Sequence, residues 1–366
     1  MKTISTRNLF TDGKVLNNQL IKIKDGRIVG LSQMDTSGAF DFENLAPALI
    51  DLHINGGEEF HFTCSPNFET LKDIDSSAQK NGVGYTLPAL ITSSFENIEQ
   101  GINAVEQFTA QNPEGGILGL HLEGPFISKK KRGAHLEKFI QKPDLDSIKK
   151  LKSLAGEVVK MVTIAPEEFD ENSLNAIIET GLKLSVGHSN ATFEEAQNAF
   201  SKGINLVTHL FNAMSAFGHR SPGLIGASLY NENVFSPIIL DDVHLSRKSA
   251  EIALRLKKEK LFLISDALFQ NHKKNEFKWD EFDAKLVDGN YVNSDGNLAG
   301  ATISLADAVK NAVDWLNIPT EKAIEMATSI PANIIETNRK IGSISPGFEA
   351  KFCTFSNDLT DFKLIK

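Results

Sequence analysis

Residues 117–123 read I-L-G-L-H-L-E, an apolar run that ends in a carboxylate. A short apolar run of this kind has the signature of a strand buried on both faces, and a charge at its tip cannot share that apolar wall. The same pattern recurs on both sides. Upstream stand A-L-I-D-L-H (48–53) and Y-T-L-P-A-L-I-T (85–92). Downstream stand V-V-K-M-V-T-I-A (158–165), L-K-L-S-V-G-H (182–188), N-L-V-T-H (205–209), P-I-I-L-D-D (237–242) and L-F-L-I-S-D (261–266). Amphipathic helical stretches such as 67–80 and 246–259 fall between most of them. Eight strands alternating with helices predict a (β/α)8 barrel over residues 46–342, with a doubly wound open sheet as the competitor. The polar tips favour the barrel: His53, Glu123, His188, His209 and Asp266 end their strands and His244 follows the seventh, and a barrel brings all its strand ends to one rim.

The flanks differ in texture. T-D-G-K (11–14) and K-D-G-R (24–27) sit between alternating stretches and read as hairpin turns. F-C-T-F (352–355) follows the turn-rich S-I-S-P-G-F-E (343–349). Residues 1–45 and 343–366 are therefore expected to pair into one small β domain.

Bulk composition narrows the function classes. The chain has 366 residues, 41% hydrophobic and 23% charged, ordinary values for a globular protein. A formal charge of −9 argues against nucleic-acid and membrane-surface partners, which would want a basic face. Cys64 and Cys353 are the only cysteines, so no disulfide framework is implied. Neither a signal peptide nor an 18-residue apolar run is present, and a cytoplasmic protein is expected.

One carboxylate and two imidazoles at three strand ends, Glu123, His188 and His209, form a ligand set suited to Zn²⁺ with an open coordination position. Fe²⁺, Mn²⁺ or Co²⁺ would fit nearly as well. Asp266 has the placement of a general base, or of an N-cap after its strand. His244 and Arg220 are candidates for an anion or a hydroxylated ligand, with a surface ion pair as the alternative for Arg220. The run Lys129–Arg132 reads as a solvated loop or a weak lure for an anion. His61, His219 and His272 have no strand-end placement and read as ordinary. The first strand ends in H-I-N-G-G (53–57), where many metal-dependent hydrolases carry His-x-His. Asn55 is a poor substitute for imidazole, so one tightly bound metal is expected, with His53 lining the pocket and contributing at most to a weak second site.

Seven strings carry a further resemblance: H-L-E-G-P-F (121–126), K-R-G-A-H (131–135), V-G-H-S-N-A-T (186–192), T-H-L-F-N-A-M (208–214), R-S-P-G-L-I-G-A (220–227), L-I-S-D-A (263–267) and L-A-G-A-T-I-S-L (298–305). In order and spacing the chain resembles the N-acetylglucosamine-6-phosphate deacetylase family of the amidohydrolase superfamily, from about residue 45 to 350. The resemblance implies hydrolysis of the acetamide of N-acetyl-D-glucosamine 6-phosphate, with Glu123, His188 and His209 on the metal and Asp266 moving the proton. It places substrate contacts at Ala134, His135, Asn212, Ala213, Arg220, His244, Ala299, Gly300 and Ala301. It also implies a homodimer in which Arg220 reaches the neighbouring subunit's substrate.

Two departures from the family stand out. Pro47-Ala48 replaces the usual Pro-Gly, and the end D-F-K-L-I-K is shorter than in relatives, implying a small β domain that lacks a strand or closes differently. A cyclic-amide hydrolase would show His-x-His and a fourth-strand lysine, whereas Ala165-Pro166-Glu167 stands here. N-acetylgalactosamine 6-phosphate remains a rival substrate, and a catalytically inactive barrel that binds an amino-sugar phosphate is the non-enzyme alternative. Residues 269–283, polar with spaced aromatics, read as a flap over the site or an edge hairpin.

Overall fold

The structure is a computed structural model that describes residues 1–34, 39–270, 274–335 and 337–366. The chain opens with β1 (Lys2–Thr11), β2 (Lys14–Lys24), β3 (Arg27–Gln33) and β4 (Phe42–Pro47). Both expected turns form, with Asp12–Gly13 and Asp25–Gly26 all at positive φ, the geometry that Asp-Gly hairpins favour because it matches strand twist.

Barrel staves follow: β5 (Leu49–Ile54), β6 (Val83–Ile91), β7 (Leu120–Glu123), β8 (Val159–Ile164) and β9 (Leu184–Val186) form a parallel sheet in that order. Residues 205–209 continue it through bridges from Val186 to Val207 and from Leu206 to Phe235, leading to the parallel pair β10 (Ser236–Ile238) and β11 (Leu261–Leu263). The ring then closes. Asp266 N–H donates to the His53 carbonyl at 2.9 Å, and Asn55 N–H donates to the Ala267 carbonyl at 3.0 Å. That closure selects the barrel over the open sheet.

Eight helices alternate with the staves: α1 (Phe68–Lys80), α2 (Phe95–Gln111), α3 (Leu145–Ala155), α4 (Glu171–Glu179), α5 (Phe193–Ser201), α6 (Gly223–Tyr230), α7 (Arg247–Lys257) and α8 (Leu305–Leu316). All but α6 begin with a side-chain cap, from Asn67, Ser94, Asp144, Asp170, Thr192, Ser246 or Ser304 in turn, each accepting a first-turn N–H that would otherwise lack a partner. Their apolar faces and the staves make one continuous core, which reaches Phe10 and Ala46 at one end of the chain and Phe362 at the other. Among the described residues no helix is long and apolar enough to cross a membrane.

Between β11 and α8 the chain inserts an antiparallel sheet of β12 (Glu276–Trp279), β13 (Phe282–Val287) and β14 (Asn290–Val292). This covers the aromatic segment expected as a flap or an edge hairpin. It takes the form of a hairpin, and Phe282 lines the cavity onto which Glu123, His188 and His209 also open. Residues 271–273 of that segment, His272 included, lie outside the described residues.

After α8 the chain returns as β15 (Phe352–Phe355) and β16 (Lys363–Ile365), extending the first sheet to the order β16-β15-β4-β1-β2-β3. The short K-L-I end pairs with Phe352–Thr354 as an edge strand of this sheet. Ile4, Leu9, Ile21, Ile28, Leu45 and Phe352 form its own core. Ala48 is fully buried, and the space for its methyl group comes from Gly84 on the neighbouring stave, where a Cβ would lie 2.4 Å from that of Ala48.

Gly56, two residues beyond β5, is fixed by close approach. A Cβ there would meet the Leu268 carbonyl oxygen at 2.4 Å and that of Phe60 at 2.8 Å, both backbone atoms that cannot swing aside. Gly56→Ala is expected to cost about 1–3 kcal/mol, as overpacking does, read as a lower urea midpoint with an unchanged slope.

Candidate active site

Four strand ends deliver functional groups, and three of them do so through unusual backbone. Glu123 closes β7, whereas His188, His209 and Asp266 follow their staves at φ 45°, 30° and 49°. Left-handed positions cost residues with a Cβ roughly 1–3 kcal/mol and persist where surrounding structure imposes them. Here they turn three side chains off the strand direction and inward.

At the centre, His188 Nε2 lies 3.0 Å and His209 Nε2 2.9 Å from Glu123 Oε1, and the two nitrogens are 3.1 Å apart. The tautomer of His188 follows from its other nitrogen, because Nδ1 is 2.9 Å from the Lys131 carbonyl, which can only accept. With Nδ1 donating there, the tautomer of an uncharged His188 would turn its Nε2 lone pair toward a carboxylate oxygen and a second imidazole. Converging lone pairs repel one another unless a cation lies between them. That donor set, with a backbone carbonyl fixing one ligand from behind, fits a divalent metal.

A second ring of groups surrounds this centre. His135 Nε2 is 3.5 Å and His53 Nε2 3.4 Å from Glu123 Oε2, and His53 Nε2 is 3.3 Å from Asp266 Oδ1. The Thr92 hydroxyl gives its proton to the Glu123 carbonyl at 3.0 Å and so accepts from His135 Nδ1 at 2.9 Å. His135 thereby presents Nε2 to the centre. Glu123, His135 and His188 offer ligand atoms within 4.8 Å of one another. His209 is the better third ligand, because its Nε2 lies close to both Glu123 and His188.

Burial alone would raise the Glu123 carboxyl, but His53 and His188 hold it well below the usual carboxylate range. Burial likewise depresses the His53 imidazole, yet Asp266 and Glu123 outweigh it and lift it to about 9. The raised His53 reports negative potential from the two carboxylates, which a cation would neutralise. Farther along the rim, His244 Nδ1 pairs with Asp241 Oδ2 at 2.6 Å. Burial opposes the charge on both partners, and their mutual contact overcomes it, raising His244 and lowering Asp241.

These groups open into a cavity of about 460 Å³, within the range of small-molecule sites. Ala134, His135, Asn212, Ala213, His244, Ala299 and Gly300 line it beside Glu123, His188, His209 and Asp266. Ala301 stands behind the wall, its N–H donating to the Asp266 carbonyl at 2.8 Å. Arg220 is exposed and lies off the cavity lining. His53 does not line the cavity as expected. It is 2% exposed beneath the floor, because the inward side of β5 points into the barrel interior rather than up to its mouth.

His61 is a further correction. It forms part of the cavity wall, is 2% exposed, and stacks on Phe277 at 5.2 Å, with Phe269 and Phe282 nearby. Burial without a carboxylate partner lowers it to about 3, so it is a neutral imidazole with its Nδ1 unbonded. It sits on a loop after the first stave, where strand-end logic does not look. The aromatic spacing of 269–283 is the signal that marked its surroundings.

Comparison with known proteins agrees with this geometry. The Amidohydrolase family model matches residues 44–365. An N-acetylglucosamine-6-phosphate deacetylase of Haemophilus influenzae is 32% identical over 89% of this chain and 85% of its own. An N-acetylgalactosamine-6-phosphate deacetylase of Shewanella is 33% identical over 96% and 91%. The crystal structure of N-acetylglucosamine-6-phosphate deacetylase from Pasteurella multocida superimposes with a TM-score of 0.89 at 28% identity, covering 98% and 97% of the two chains. A match across nearly all of the barrel, joined to relatives at this identity, leaves one assignment: the chain belongs to the amidohydrolase family.

Proposed function

We propose that this chain hydrolyses the acetamide of N-acetyl-D-glucosamine 6-phosphate to D-glucosamine 6-phosphate and acetate. The observation that carries this reading is the convergence of the Glu123, His188 and His209 donor atoms beside Asp266, on the floor of a cavity sized for a sugar phosphate. One divalent ion per chain, Zn²⁺ foremost, would be held by those three residues. When bound it supplies a water of lowered pKa and a Lewis acid for the acetamide carbonyl.

The protein's own groups do the rest. Asp266 takes the proton of the attacking water as its oxygen adds to the carbonyl carbon, then delivers that proton to the nitrogen as the C–N bond breaks. His135, locked with Nε2 forward, faces the side where negative charge grows on the carbonyl oxygen and serves as its hydrogen-bond donor when protonated. The Asp241–His244 pair keeps a cation at the rim for the phosphate or a neighbouring hydroxyl, near Asn212 and Ala213. Ala134 and the Ala299–Ala301 strip supply backbone to the sugar's other side. Arg220, exposed on this chain, would reach the site of a second copy in a homodimer. The reading includes a division at 1–45, 46–342 and 343–366, and a cytoplasmic setting.

N-acetyl-D-galactosamine 6-phosphate is the second reading, favoured by the similarity to the Shewanella enzyme, which equals that to any glucosamine relative above. Kinetics on both epimers, with unphosphorylated sugar as control, rank the two. Acetate release should vanish after dialysis against chelator and return on adding Zn²⁺; metal-independent release would overturn the mechanism.

Asp266→Asn should retain one metal per chain and lose about 10²–10⁴-fold in kcat, the usual worth of a general base. Loss of the metal instead would make Asp266 a ligand. The Asp241–His244 pair gives a pH prediction. Because Asp241 raises His244, the imidazolium survives to higher pH and is lost as pH climbs through that raised value. In Asp241→Asn the loss should come earlier, with KM for the phosphorylated sugar rising at lower pH than in the parent enzyme. An unmoved KM–pH profile would remove His244 from phosphate binding.

A further inference from the structure

We propose that Asn55 is a positioning residue that holds the Asp266 carboxylate in its proton-transferring orientation. The inference rests on the deacetylase reading above. Asn55 Nδ2 lies 2.7 Å from Asp266 Oδ1, the shorter of that oxygen's two side-chain contacts among the described residues, with His53 Nε2 at 3.3 Å. The same Nδ2 is 3.5 Å from the Asp266 backbone carbonyl. Both partners can only accept, so the amide cannot be flipped: the nitrogen must face Asp266. Asn55 Oδ1 is left buried with no donor, a cost of roughly 1–3 kcal/mol that a purely structural amide would shed by rotating.

The backbones on which these side chains stand are joined at the same place. Asp266 N–H donates to the carbonyl of His53, and Asn55 N–H donates to the carbonyl of Ala267. The two side chains therefore project from neighbouring, hydrogen-bonded positions across the seam between the first and last staves. With Asn55 on Oδ1 and His53 Nε2 on the same oxygen at 3.3 Å, Oδ2 is left as the free oxygen for the water and the leaving nitrogen.

An amide suits this task because it donates at every pH and never gives up its proton. An imidazole at position 55 could turn a lone pair toward the centre and compete for a cation; an amide nitrogen cannot. The His-x-Asn ending of the first strand is thus a complete device: one residue beneath the metal centre and one at the base.

Steady-state kinetics, metal content and thermal midpoint of Asn55→Ala and Asn55→Asp test the idea. Asparagine and aspartate have the same shape, but the carboxylate cannot donate, so packing and donation are separated. Both variants should keep one metal per chain, hold KM within about threefold and lose about 10²-fold in kcat, the scale of misplacing a reacting group by an ångström. In the Asp266→Asn background, Asn55→Ala should have no further effect, because its route of action is already gone. If the alanine variant does not fold, the isosteric aspartate decides. A kcat within threefold of the parent, a loss that follows metal release or KM, or additive losses in the double variant would each overturn the proposal. The parent enzyme run alongside separates the two levels: no acetate from it defeats the deacetylase reading, whereas an active parent with equally active variants defeats only this inference.

Discussion

The constraint on which everything else hangs is the closing of the sheet into a ring, made by two backbone hydrogen bonds between the ends of the first and last staves. An open sheet leaves its outermost strand ends far apart. Closure brings Glu123 from the third stave, His188 from the fifth, His209 from the sixth and Asp266 from the eighth to within a few ångströms of one another. No pair of them is close in sequence; their neighbourhood is a property of the ring alone.

Bringing them together is costly, and the cost is visible. Three of these residues adopt left-handed backbone, two imidazole nitrogens meet at 3.1 Å, and a buried carboxylate sits among four histidines. A fold does not sustain such crowding for stability, because hydrophobic side chains of like volume would serve better. The surrounding layers supply the rigidity instead: Lys131 behind His188, Thr92 behind His135 and Asp241 behind His244 each fix one ring orientation. The reactive groups gather at the rim, and beneath them the staves bury a hydrogen-bonded set of polar side chains, His121, Thr163, Ser185 and Thr208, inside the apolar packing.

Much of this was legible in the sequence, for a physical reason. A charged or imidazole group ending an apolar run is improbable unless it faces a solvated or ligand-filled space, so Glu123, His188, His209 and Asp266 could be picked out by position alone. The turns at Asp12–Gly13 and Asp25–Gly26 were equally plain, since few dipeptides tolerate that backbone. What stayed hidden depends on distances between segments remote in the chain. His61 looked ordinary because its aromatic surroundings come from more than two hundred residues downstream. Asn55 looked like a failed ligand because its partner lies on the last stave, and His53 was expected on the wall because strand alternation tells which face a residue takes, not its depth along the barrel axis. The final edge strand was missed because three residues carry too little pattern to announce a strand.

The sheet built from both ends of the chain imposes an order on synthesis. The side of β4 that pairs with β15 waits while some three hundred residues are made, since Cys353 finds Ala46 only after the whole barrel has passed. Until then the nascent chain displays an unpaired strand edge at Asn44–Pro47, the kind of surface that recruits foreign strands. Its remaining neighbour, β1, is already in place on the other side, so the waiting edge is short and held in register. The ribosome thus delivers the barrel first and its clasp last.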